Sequence, residues 1–203
     1  MASAARIQSM SIQTRRERER AERERLIVTA ARELAEAEGW DAVTTRRLAA
    51  EIEYSQPVLY SHFKGKDAIM AAVAVEGCAE LATELRRVRT AADGIREALA
   101  AVGEAYAAFA RRRPALYDAM FTHAVDLPFA TPEAPAPLRE AFGELFQAVE
   151  PVAAEGDDPG LLTETYWAAL HGLVTLMRSG RLPERAHETR LALLIGHFTA
   201  GTT

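Results

Sequence analysis

The segment Gln56-Pro57-Val58-Leu59-Tyr60-Ser61-His62-Phe63 concentrates side chains that suit recognition of a nucleic acid. Glutamine can bond bidentately to adenine, and valine or proline can meet a thymine methyl. Tyr60, His62 and the following Lys66 can hold phosphates. Leu59 and Phe63 stand four residues apart and are expected to face a core. That leaves Gln56, Pro57, Val58, Tyr60, Ser61 and His62 largely outward on a helix. An outward face of this kind, beside Lys64 and Lys66, is odd for a helix that only supports structure. Just upstream, Thr44 and Thr45 open another short helix, whose free N–H groups suit a phosphate.

These residues need a frame, and almost the whole chain reads as helix. Alanine is abundant, and strand-like alternation of β-branched residues between turns is absent. A first helix is expected from about Thr14 to Glu38, with Leu26, Ile27, Ala30, Ala31, Leu34 and Ala35 forming one apolar stripe. Its first half, RRERERAERER, is a charge run that reads as a solvated face with i,i+4 pairs such as Glu19–Arg23. Gly39 ends it. Thr44 caps a helix from Thr45 to about Ile52, and Ser55 caps one from Gln56 to about Phe63, with Pro57 in its first turn. A longer helix runs from Lys66 to about Arg89. Two short helices joined by a tight turn make helix-turn-helix geometry. Beyond them, helices are expected over about 93–112, 114–123, 138–154, 161–179 and 184–200. A proline-rich loop fills 126–137. The fold class is therefore all-α, with about nine helices.

Composition narrows the functional classes. With 203 residues, 49% hydrophobic and 26% charged, the chain is long enough and mixed enough to bury a core without staples. A single cysteine, Cys78, excludes an internal disulfide framework and reads as a small buried residue. No apolar run is long enough for a membrane span, and Met1 to Thr14 lacks the apolar centre of a secretory signal, so a cytoplasmic protein is expected. The net charge of −5 is uneven. Residues 1–66 carry twelve basic and ten acidic side chains, the rest twelve and nineteen, which places the more basic part around the outward helix.

Other chemistries find less support. No HExxH, GxSxG, GxGxxG or Walker loop is present, and the five histidines form no tight metal pair, so neither catalysis, a metal nor a cofactor is expected. Trp167 and His171 lie four apart on one helix. With Tyr106, Phe109, Tyr117, Met120, Phe121 and His123 they either pack a core or line an elongated, mainly apolar pocket for a small molecule. Leu162, Tyr166, Ala169, Leu173, Val174, Leu191, Leu194, Ile195 and Phe198 offer more apolar surface than two helices of a monomer would bury. They are expected to form a two-fold homodimer as a four-helix bundle, with Gly172 permitting close approach. A helical interaction module would explain those last helices but not the outward Gln/Tyr/His/Lys face.

The stretch Val43-Thr-Thr-Arg-Arg-Leu-Ala-Ala, followed by Ser55-Gln-Pro-Val-Leu-Tyr-Ser-His-Phe-Lys-Gly-Lys66, resembles the DNA-binding domain of the tetracycline-repressor (TetR) family. The likeness covers about residues 20–70, including Gly39-Trp40. Trp167-Ala-Ala-Leu-His171-Gly172-Leu173, with Gly180-Arg-Leu-Pro183, resembles the WHG type of C-terminal domain in one branch of that family. The resemblance implies a DNA-binding domain over about 1–65 and a dimerising, effector-binding domain over 66–203. It implies a repressor that binds a palindromic double-stranded operator as a dimer. Base reading would fall to Arg46, Gln56, Pro57 and Val58, and phosphate contacts to Thr45, Tyr60, His62 and Lys66. One departure stands out. The turn between the short helices reads Glu53-Tyr54-Ser55, where the family usually has Gly-Val-Ser. Either Glu53 accepts a left-handed backbone, at about 1 kcal/mol or more, or the turn takes another shape.

Overall fold

The computed structural model describes the backbone of residues 2–129 and 131–200 and the side chains of residues 14–129 and 131–200. Among the described residues nine α-helices follow one another: α1 (Ala2–Glu38), α2 (Thr45–Glu51), α3 (Gln56–His62), α4 (Lys66–Thr90), α5 (Ile95–Arg112), α6 (Pro114–Phe121), α7 (Ala136–Val149), α8 (Pro159–Arg178) and α9 (His187–Phe198). Short 3₁₀ turns sit at Trp40–Ala42, Glu150–Val152 and Glu184–Ala186. Among the described residues there is no strand, and no helix is long and apolar enough to cross a membrane.

The expected elements are present, with shifted ends. α1 starts at Ala2 rather than near Thr14, because residues 2–13 hold no glycine or proline to break the helix. Gly39, at φ 83°, turns the chain out of α1 through the left-handed region that favours glycine. Thr44 caps α2 by accepting the Arg47 N–H at 3.2 Å. Asp158 caps α8 by accepting the Gly160 N–H at 2.8 Å.

α1, α2 and α3 close a small head around Ile27, Leu34, Trp40, Val43, Leu48 and Leu59, all buried. Leu26, expected in the α1 stripe, is exposed at 43%, since the stripe turns away from it toward Ile27 and Ala30. α4 runs out of the head and forms the axis of the larger bundle, packed against α1, α5, α6 and α7. Gly77 lets α6 side chains pack directly on α4: a Cβ there would stand 2.6 Å from Met120 Sδ and 2.8 Å from Leu116 Cδ1. The buried Glu144 carboxylate ties α7 to α4 by accepting from Arg86 at 2.7 Å and from Arg89 at 2.7 and 2.9 Å. Burial in α4 pushes the Cys78 thiol up to about 12, so the sulfur behaves as a small apolar group.

Candidate nucleic-acid interface and inner core

The turn between α2 and α3 settles the alternative left by the sequence. Glu53 takes the left-handed conformation, with φ 55°. Tyr54 N–H donates to Ala49 O at 2.8 Å and Glu53 N–H to Ala50 O at 3.3 Å, the two bonds of a Schellman end. The shape that glycine usually supplies is kept, and Glu53 carries its steric cost. α3 therefore leaves α2 at the angle that this closed turn sets.

Leu59 is fully buried and pins α3 to the head, with Phe63 half-buried beside it. Gln56, Pro57, Val58 and Tyr60 are exposed on the opposite side. Tyr60 is 51% exposed, and its hydroxyl lies 3.2 Å from Thr45 Oγ1, so the two short helices present one joined surface. Arg46 points into solvent, whereas Arg47 is held by a bidentate pairing with Glu38. His62 departs from expectation. Its side chain is only 6% exposed, and Nδ1 lies 3.3 Å from Glu24 Oε1. The reason is helical register: His62 follows Leu59 by three residues and shares its inward side. Lys66 donates to Trp40 O, which leaves its other N–H groups for a phosphate.

The head is joined to the bundle by more than α4. Glu36 of α1 accepts from Ala115 N–H at 3.1 Å and Leu116 N–H at 3.0 Å, capping the first turn of α6. Trp40 Nε1–H donates to Ala115 O at 2.8 Å. Glu80 of α4 pairs with Arg32 of α1 and with Arg113 between α5 and α6. No sequence signal marks these bonds, because their partners are some 33 to 80 residues apart.

α6 carries the next layer. Tyr106, Phe109, Tyr117 and Met120 are buried and pack tightly, while Phe121, Trp167 and His171 are half-buried at the edge. Trp167 Nε1–H donates to Tyr106 Oη at 3.0 Å, the Tyr106 and Tyr117 hydroxyls are 3.0 Å apart, and Tyr117 Oη lies 2.7 Å from His171 Nδ1. Burial, with Tyr117 beside it, pushes the Tyr106 phenol well up, and burial pushes Tyr117 up to about 12. Burial, and then the Arg178 charge, lower the His171 imidazole below its ordinary range. Arg178 stands over the Tyr117 ring at 5.4 Å and is bidentate to Asp118 at 2.8 Å. His123 does not join this cluster. It is exposed after α6 and meets the Trp40 ring edge-on at 6.3 Å. Two described grooves lie elsewhere: one of about 330 Å³ between α5 and α9, beside Arg96 and Glu104, and one on α4 beside Glu80 and Arg113.

The expected dimer residues divide. Tyr166, Val174, Leu191 and Ile195 are buried within their own subunit. Tyr166 Oη–H donates to Leu99 O at 2.7 Å, and its ring meets Phe198 at 5.2 Å. Apolar periodicity marks a face to be covered without saying by which chain, and here α5 covers it. Leu162, Ala169, Leu173, Leu194 and Phe198 are half-buried, and Gly172 is open to close approach. Leu161, Leu176 and Leu193 stand exposed at 61%, 40% and 62%.

Comparison with known proteins agrees with this architecture. Residues 27–73 match the family model for bacterial regulatory proteins of the tetR family, and residues 99–198 match the tetracyclin repressor-like C-terminal domain. The chain is 29% identical to the uncharacterized HTH-type transcriptional regulator Rv0681 of Mycobacterium tuberculosis, over 76% of this chain and 69% of that one. Among solved structures, a protein of unknown function from Rhodococcus sp. RHA1 shares the fold with a TM-score of 0.71 at 24% identity, over 88% of this chain and 94% of that one. A TetR variant of Acinetobacter baumannii, solved in complex with minocycline, aligns with a TM-score of 0.62 at 23% identity, over 86% and 94% of the two chains.

Proposed function

Because the chain belongs to the tetR family of DNA-binding transcriptional regulators, we propose that it is a ligand-responsive repressor that binds a palindromic operator as a homodimer. The observation that carries this reading is the outward face of α3, where Gln56, Pro57, Val58 and Tyr60 stand exposed on a helix pinned by Leu59. In this reading residues 1–65 bind DNA. Arg46, Gln56, Pro57 and Val58 read base edges, while Thr45, Tyr60 and Lys66 hold phosphates. Residues 66–203 dimerise and bind a small, mainly apolar molecule.

One seven-residue helix gives little affinity alone, and two related by a dyad give two half-sites separated by about 34–36 Å or a multiple. The exposed Leu161, Leu176 and Leu193 on α8 and α9 support a second copy as their cover. The effector would enter among Phe121, Trp167 and His171, the half-buried edge of the aromatic cluster. Favouring a DNA-incompetent arrangement by about 1–3 kcal/mol weakens binding roughly 5- to 150-fold.

The test is fluorescence anisotropy of the full chain on duplexes flanking its own coding sequence, at several salt concentrations. Salt-sensitive binding that is lost when the palindrome is scrambled supports the reading. Equal affinity for scrambled duplex overturns it.

A further inference from the structure

We propose that Trp167, Tyr106, Tyr117 and His171 form a one-way hydrogen-bonded relay that holds α6 in place only while His171 is neutral, so that a proton taken up at His171 is reported to the DNA-reading head. The direction follows from valence. An indole N–H only donates, so Tyr106 Oη accepts from Trp167; the fully buried Tyr106 O–H then needs an acceptor of its own, and Tyr117 Oη is the described one within reach. Tyr117 Oη then donates to His171 Nδ1, at 2.7 Å. His171 must be the Nε2–H tautomer, and that N–H faces Thr175 Oγ1 at 3.5 Å.

A proton on Nδ1 cannot be fitted into this order. Imidazolium donates at both nitrogens, so Tyr117 would have to accept from His171 and turn its own proton toward Tyr106. Tyr106 Oη already accepts from Trp167, and its O–H would lose its partner inside a side chain with no exposed surface. A buried donor without an acceptor is the costly case, so either the relay breaks there or α6 moves away from α8.

Among the described residues no carboxylate acts on the imidazole. On its own helix the charged neighbour is Arg178, a like charge. Asp118 of α6, next to Tyr117 in the chain, is taken by both guanidinium nitrogens of Arg178 and also interacts with His123. Glu36 of α1 acts on Arg178 rather than on the ring. From α6 and α5 the phenols of Tyr117 and Tyr106 come next, and the Cys78 thiol of α4 acts on Tyr106 rather than on the ring. The lowered affinity of His171 for a proton agrees with this setting.

The route out of the relay is short. Tyr117 is one residue from Leu116 and two from Ala115, the pair held by Glu36 and Trp40 of the head. The two tryptophans of the chain thus stand at opposite ends of one path: Trp167 heads the relay, and Trp40 grips the helix that the relay holds.

The experiment uses the full-length protein with ¹⁵N-labelled indoles and ¹³C-labelled histidines, titrated from about pH 8 to about pH 5. At the alkaline end His171 should show the Nε2–H tautomer. On acidification it should titrate below the usual value of about 6.5, and both indole N–H signals should shift with its midpoint. The titration is run in a His123→Gln background, because the His123 ring lies against Trp40 at 6.3 Å, and adding His171→Gln there should leave both indole signals flat. In Tyr117→Phe the two indoles should stop moving together and the His171 midpoint should rise. His171→Gln alters a half-exposed side chain and decides the matter alone if Tyr117→Phe fails to fold. In the His123→Gln background, a Trp40 signal that does not follow His171, or that still moves once His171→Gln is added, overturns the proposal.

A parallel measurement on DNA flanking the coding sequence should show several-fold weaker binding across the same pH window in the wild type and not in His171→Gln. Only this arm rests on the DNA-binding reading. Coupled indoles without a change on DNA would leave the relay standing and count against that reading.

Discussion

The reading helix α3 and the inner cluster on α6 both gather aromatic and polar side chains, and they use them in opposite ways. On α3 one leucine is buried, and Gln56, Val58 and Tyr60 are turned to solvent, where a partner must supply their contacts. On α6 Tyr117 is turned inward, and its hydroxyl is satisfied by Tyr106 and His171 of the same chain. An exposed recognition group costs the folded state little and can be altered with little structural consequence. A buried one is part of the core, so any signal passing through it also changes packing. The head is correspondingly thin, built on two seven-residue helices and a strained turn, while the bundle is dense enough that a single glycine sets a helix contact.

This contrast can be strained at its densest point first. Gly77→Ala places a methyl against Met120 and Leu116, both buried. Overpacking of this kind costs about 1–3 kcal/mol, offset by up to about 1 kcal/mol of helix propensity. Chemical denaturation should show a net loss, and a more stable variant would mean that α6 is loosely seated on α4. At the junction, Glu36→Ala removes the carboxylate that caps α6, with an expected loss of about 0.5–2 kcal/mol. The Trp40 indole should become more exposed to a fluorescence quencher, while unchanged quenching would place the coupling on α4 alone. In the head, Glu53→Gly removes the left-handed penalty of about 1–2 kcal/mol and pays back about 0.5–1 kcal/mol in chain entropy. Slower amide exchange in α2 and α3 is expected, with base preference unchanged. Faster exchange would show that Glu53 makes a compensating contact.

The two regions also differ in how far they could be read from the amino-acid order. In the head, capping, turn chemistry and the Leu59–Phe63 spacing are local, so the helices and the Thr44 cap were legible, and Glu53 was marked as the point where the turn had either to strain or to change shape. Ser55 takes the N-cap position of α3 without a side-chain cap bond. Only His62 faces inward against expectation, because an i+3 neighbour of a buried leucine sits at the edge of the buried side. In the bundle, residue type announced the cluster of Tyr106, Tyr117, Trp167 and His171 but not its bonding, which depends on three helices meeting. Periodicity could not tell Tyr166 and Leu191, covered within the subunit, from Leu161 and Leu193, left outside. The bonds from Trp40 and Glu36 to α6 were beyond reach, since nothing local requires a partner so distant.

The central claim is that the outward face of α3 reads base sequence, and selection from a random duplex pool tests it most directly. The wild-type protein should enrich a two-fold-symmetric site. Gln56→Ala should enrich the same site with preference relaxed at one position in each half, a loss of about 1–3 kcal/mol of discrimination there. Lys66→Ala should weaken binding to all duplexes alike and flatten the salt dependence. A wild-type pool that enriches no symmetric site, or a Gln56→Ala pool with every position ranked as in the wild type, would contradict the account.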